Sequence, residues 1–142
     1  MAELVLALLP EALRIHRLPA SARLAQVLKD TASASSPGNS AKDQTLFATL
    51  HSRDELSIVC DANLKVTSEQ SSGPWRAMYV VGQLDFALTG VMAGLAQPLA
   101  AAKISIFAIS SFDTDYLLVK ADALDAAVAA LKSAGYSFGH AH

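Results

Sequence analysis

The sequence predicts an α+β fold, a β-α-β-β-α-β run whose two helices cover one face of an antiparallel sheet. Three observations carry this. Ile104–Ser110 (ISIFAIS) and Asp115–Lys120 (DYLLVK) are short β-prone runs separated by the polar residues 111–114, which reads as a hairpin. Two stretches rich in alanine and leucine flank that hairpin and repeat their larger apolar residues at helical spacing. Ala77–Leu84 (AMYVVGQL), rich in β-branched and aromatic residues, precedes the first of them as a strand. With a short last strand over Tyr136–Phe138, this order is the ferredoxin-like plan.

The first helix is expected over Leu88–Lys103, with Leu88, Val91 or Met92, Leu95 and Leu99 on one face. Pro98 removes one backbone hydrogen bond and crowds the carbonyl four residues back. That residue is Gly94, which leaves room for a tolerated kink. In the hairpin, Ile104, Ile106 and Ala108 point one way and Ser105, Phe107 and Ile109 the other. Asp122 is expected to cap the second helix, Asp125 to favour its first turn, and Gly135 to end it. Leu124, Val128 and Leu131 form its apolar face.

The first half is less regular. Leu4–Leu9 and Glu11–Leu18 read as strands broken at Pro10, and Ser21–Lys29 as a short helix capped by Ser21. Thr31–Lys42 (TASASSPGNSAK) reads as a flexible loop. Thr45–Ser52 and Glu55–Cys60 read as strands joined by a turn at Arg53-Asp54, and Asp61–Gly73 as polar and irregular.

Composition narrows the function classes. With 142 residues and 52% apolar side chains, the chain can bury a core without a disulfide or metal staple. The net charge is −2 and no basic stripe occurs, so nucleic-acid binding is not expected. The single cysteine, Cys60, suits a reducing compartment. The start lacks a basic segment and no run of about 20 apolar residues occurs, so neither export nor a membrane span is expected, and the cytoplasm is the default. His16, His51, His140 and His142 show no metal spacing, and no catalytic triad, phosphate loop or HExxH is present. No metal, cofactor or catalytic residue is therefore expected.

Several segments are familiar in combination: Leu8-Leu9-Pro10 with Arg17-Leu18, Asp54–Cys60 (DELSIVC), Trp75-Arg76, Leu84-Asp85-Phe86 with Thr89-Gly90, and above all Ile104–Lys120 (ISIFAISSFDTDYLLVK). In that order they resemble small paired-ACT proteins related to aspartate-kinase regulatory domains, of which the animal arginine sensors called CASTOR are larger relatives. The resemblance covers nearly the whole chain and is strongest from Glu55 to Gly135. It implies an N-terminal ACT-like subdomain over residues 1–74, with the insertion at 31–42, and a C-terminal ACT subdomain over 75–142. It also implies a small ligand, often an amino acid, at the seam between two such units.

Carried over position by position, the resemblance puts Asp85, Phe86, Leu88, Thr89, Gly90 and Val91 in the loop and helix start that line the seam. Ile109, Ser110, Ser111, Phe112 and Asp115 are supplied by the facing strand and hairpin. In the arginine sensors an acid at the position of Asp115 holds the ligand's charge; the sensors' second acid, near the helix start, is replaced here by Leu88.

The residues themselves suit a zwitterion. A dried pocket must pair both an ammonium and a carboxylate. Free N–H groups at a helix start can take the carboxylate, and Gly90 keeps that turn uncluttered. Asp115 can accept the ammonium, with Ser110 and Ser111 adding hydroxyls. The plainer readings are that Asp113 and Asp115 are turn residues and that Thr89-Gly90 is only a helix cap.

The expected function is a non-enzymatic regulatory protein that binds a small molecule, an amino acid in the first place. A second copy or a regulatory protein is the expected macromolecular partner. The alternative is a ligand-free module for oligomerisation or protein interaction. An enzyme ranks last, since a fold of this type does not fix function.

Overall fold

The computed structural model describes residues 4–27, 46–82 and 89–139. Its strands are β1 (Val5–Pro19), β2 (Ala48–His51), β3 (Glu55–Asp61), β4 (Gln70–Val80), β5 (Ile106–Ser110), β6 (Asp115–Lys120) and β7 (Ser137–Phe138). Two helices follow β4 and β6: α1 (Val91–Ala101) and α2 (Leu124–Ser133), the latter preceded by a 3-10 turn at Ala121–Ala123. The chain forms two compact units: unit 1 joins Met1–Pro10 with Arg76–His142, and unit 2 is Glu11–Trp75.

Unit 1 is the ferredoxin-like β-α-β-β-α-β arrangement, running β4-α1-β5-β6-α2-β7. Its strand order is β1-β4-β6-β5, with β7 parallel to β1 at Val5↔Ser137 and Leu6↔Phe138. The β5–β6 hairpin is antiparallel, from Ile106↔Val119 to Ser110↔Asp115. Alternation puts Leu117 and Val119 on the helix-covered face, where they meet Leu6, Met78, Val80, Leu95, Leu99, Ala127 and Leu131. Ile104 and Ile106 pack against this cluster. Each buried leucine contributes roughly 1.5–3 kcal/mol of transfer free energy.

Both helices are shorter than the sequence suggests. Pro98 stays inside α1, and the crowded position four residues back is Gly94, whose N–H still donates to Gly90 O at 2.8 Å. The helix ends at Ala101 because Lys103 turns to φ 60, in the left-handed region, and Ile104 N–H closes back on Leu99 O at 2.9 Å. Asp122 is not the cap of α2. It lies in the 3-10 turn, and the capping position is Ala123, with no side-chain bond. Asp125 is in the first turn, and Gly135, at φ 103, follows the helix end.

In unit 2 the order is β2-β3-β1-β4. β1 and β3 are antiparallel from Leu13↔Asp61 to Pro19↔Glu55, and β2 pairs β3 from Ala48↔Val59 to His51↔Leu56. The strands read on either side of Pro10 are one strand. Pro10 lies between the stretch paired with β7 and the stretch paired with β3, so its missing N–H costs neither ladder a bond. Residues 24–27 are helical, with Ser21 in the preceding turn rather than at the cap. The expected loop over Thr31–Lys42 lies outside the described residues. β4 begins at Gln70, inside the stretch expected to be irregular, and includes the cis peptide Gly73–Pro74. Leu18, Leu56, Ile58, Cys60 and Leu64 form the core.

Candidate ligand-binding site

The residues singled out from the sequence fall into two groups within unit 1. The first is at the start of α1. Gly90 is the capping residue, at φ 77 and ψ 3, a left-handed conformation that a side chain strains. No side-chain hydrogen bond caps the helix, so Thr89 is not a cap, and no acid stands in the first turn. The helix therefore starts with backbone donors that no capping side chain satisfies, at the positive end of its dipole. Thr89 and Gly90 are exposed and Val91 is half-buried. Asp85, Phe86 and Leu88 lie outside the described residues.

The second group is the open end of the β5–β6 hairpin. Ser110 and Asp115 are directly opposed, and the Ser110 hydroxyl donates to Asp115 Oδ1 at 2.7 Å. They share the face of Leu117 and Val119. Ile109 is on the opposite face, opposed to Tyr116, whose ring stands 5.8 Å from that of Tyr79. Burial, then Tyr79 and Asp113, raises the pKa of the Tyr116 phenol. Strand alternation thus separates Ile109 from Ser110 and Asp115.

The turn itself is tightly built. Ser111 N–H donates to Thr114 O at 2.8 Å, and the Thr114 N–H donates to Ser111 Oγ at 3.2 Å. Phe112, at the tip, is 72% exposed. Thr114 stands among polar turn residues in the sequence. It is 8% exposed, and its hydroxyl donates to Val80 O at 3.0 Å. That bond ties the hairpin turn to the end of β4, the strand from which the chain runs on to α1. A threonine among turn residues gives no sequence signal that its hydroxyl is buried.

Among the described residues no group of histidine, cysteine, aspartate and glutamate is arranged to hold a metal ion. No helix among them is long and apolar enough to cross a membrane.

A family model described as the ACT domain matches residues 70–133. Among curated proteins, the cytosolic arginine sensor for mTORC1 subunit 1 of Bos taurus is 37% identical over 109 residues, which is 70% of this chain and 32% of that protein. Its Homo sapiens counterpart is 39% identical over 98 residues, 62% of this chain and 29% of that protein. The matches therefore span about a third of the length of these relatives. Among solved structures, protein Atu0741 from Agobacterium tumefaciens superposes with TM-score 0.71 at 28% identity, covering 100% of this chain and 96% of that one. The regulatory subunit of aspartate kinase from Thermus flavus superposes with TM-score 0.66, covering 94% of this chain and 99% of that one, and at 14% identity the likeness is one of fold.

Proposed function

Residues 70–133 of this chain are an ACT domain, and from that premise we propose that the protein is a non-enzymatic, cytoplasmic regulator that binds a small amino acid. The ligand's carboxylate takes the N–H donors at the start of α1, and its ammonium takes Asp115. Thr89, Gly90 and Val91 frame the first contact; Ser110, Ser111 and Phe112 border the second. A second ACT-type unit closes the pocket over the ligand, as the pairing of such domains implies.

One observation supports this reading above the others. α1 begins at a left-handed glycine with no capping side chain and no acid in its first turn. A helix meant only to pack gains about 1 kcal/mol from a serine, threonine or aspartate at that place. Leaving the donors unfilled, in the same unit as a strand-end carboxylate, suits a zwitterion.

A melting screen of the full chain against amino acids tests it. The curated relatives are named as arginine sensors, so arginine belongs in the panel. A true ligand at a hundredfold excess over Kd stabilises the fold by about 2.7 kcal/mol. A panel at millimolar concentration that leaves Tm unmoved removes the amino-acid reading. The ligand-free interaction module then takes its place, supported by Phe112, exposed beside the edge strand β5.

A further inference from the structure

Unit 2 contains a device that the proposed ligand site does not use. Where unit 1 has α2 after β6, unit 2 has only the loop of residues 62–69 between β3 and β4. Three attachments hold this loop. Ala62 N–H donates to Ala12 O at 2.9 Å; Leu64, 4% exposed, fills the core beside Cys60; and Ser68 Oγ lies 2.8 Å from His16 Nδ1. His16 is 5% exposed, and its Nε2 is buried with no hydrogen-bond partner.

A neutral imidazole tolerates this arrangement because one nitrogen shares the Ser68 hydroxyl. An imidazolium does not: it carries two N–H donors, one of them without an acceptor, and a buried charge. We propose that His16 is an acid-sensitive latch on the 62–69 loop, whose protonation releases Ser68, lifts Leu64 from the core and opens Cys60 to solvent.

The described surroundings offer the cation no compensation. Arg14 lies two residues back on the same face of β1. On β3 the opposed residue is Ile58, with Cys60 next along that face. Residues 70–75 of β4 carry no charge. The loop's charged side chains, Lys65 and Glu69, are exposed, and Glu69 pairs with Arg17 at 3.4 Å. Arg23, before the helical turn, is exposed. Burial first, and Arg14 second, lower the His16 pKa from the ordinary 6.5. The open form, free of both, binds the proton more tightly than the closed form. Opening therefore grows as pH falls below 6.5, by up to about tenfold per unit for one proton.

Cys60 is the chain's single cysteine and reports the opening. The full-length protein is treated with dithiodipyridine, which reacts with thiols in acid, and each rate is divided by that of the denatured chain at the same pH. The relative rate is expected to rise several-fold between pH 7.0 and 5.5. Ser68→Ala is expected to label several-fold faster at pH 7.0 and to keep the acid rise, and His16→Gln to give a flat profile. A flat wild-type profile, or an unchanged rise in His16→Gln, overturns the latch. If His16→Gln does not fold, proton NMR titration of His16 in the wild type decides: a midpoint below 6.5 supports the latch, and one at or above it overturns the proposal.

Discussion

The Ser110 hydroxyl and the Asp115 carboxylate close the β5–β6 ladder, joined at 2.7 Å across its last opposed pair. The bond uses one lone pair of Oδ1 and fixes the carboxylate's direction at the strand end; in the proposed reading its remaining acceptor positions take the ligand's ammonium.

Asp115→Asn is expected to lower ligand affinity tenfold or more, because a charge-assisted bond contributes roughly 1.5–3 kcal/mol. Ser110→Ala, which only loosens the carboxylate, is expected to cost less. Neither should move Tm much, because the pair is near the surface. Calorimetric titration with whichever amino acid the melting screen yields makes the comparison, and full affinity in Asp115→Asn takes this residue out of the site.

Gly90→Ala is expected to destabilise the fold by about 1–2 kcal/mol, and Gly90→Asn by less. A Cβ at this position meets no atom within 4 Å, so the cost comes from the backbone alone. Urea unfolding of the three proteins measures it, and equal midpoints would contradict the left-handed cap.

Gly94 and Tyr136 should be coupled. A Cβ on Gly94 falls 2.6 Å from the Tyr136 hydroxyl, so that oxygen occupies the space an alanine needs. In the wild type the helix-propensity gain of Gly94→Ala, roughly 1 kcal/mol, is offset by displacing the ring. In a Tyr136→Phe background the gain should return. A double-mutant cycle in urea reads a coupling of about 1 kcal/mol, and strict additivity would exclude the contact.

On the alkaline side the group to watch is Cys60. Burial, reinforced by Asp61, raises its thiol pKa from 9.0 to about 12. The unfolded chain loses its thiol proton first, so stability is complete below pH 9 and declines as pH rises toward 12. Cys60→Ala should flatten the fall in stability between pH 9 and 10 that urea melts reveal in the wild type.

The two stretches of the chain differ in how openly they state their structure. Asp115–Lys120 was legible to the residue because an uninterrupted β-prone run is bounded by a polar turn and by Ala121-Asp122. The start of β4 was not. Gln70–Pro74 has turn composition and is strand only because a neighbouring strand pairs with it, a long-range fact invisible in local propensity. Pro10 misled for the converse reason: a proline breaks a ladder only where a bond is due. Around the candidate site, Gly90 was legible as a glycine that keeps the turn uncluttered, although the helix was expected to start at Leu88, whereas the buried hydroxyl of Thr114 was not legible. Nor does alternation alone say that Ser110 and Asp115 share the helix-covered face while Ile109 does not; that depended on the register.

The way the units are threaded has a bearing on synthesis. Unit 2 is one contiguous stretch, Glu11–Trp75, and has all its residues once that stretch has left the ribosome. Unit 1 cannot close then. Val5 and Leu6, made before any of unit 2, must wait for Ser137 and Phe138 to arrive and lie beside them. Leu6 packs against Met78, Leu95, Leu117 and Leu131, so until those residues arrive it stays uncovered in the nascent chain, and that is the interval in which a chaperone would have the most to shield.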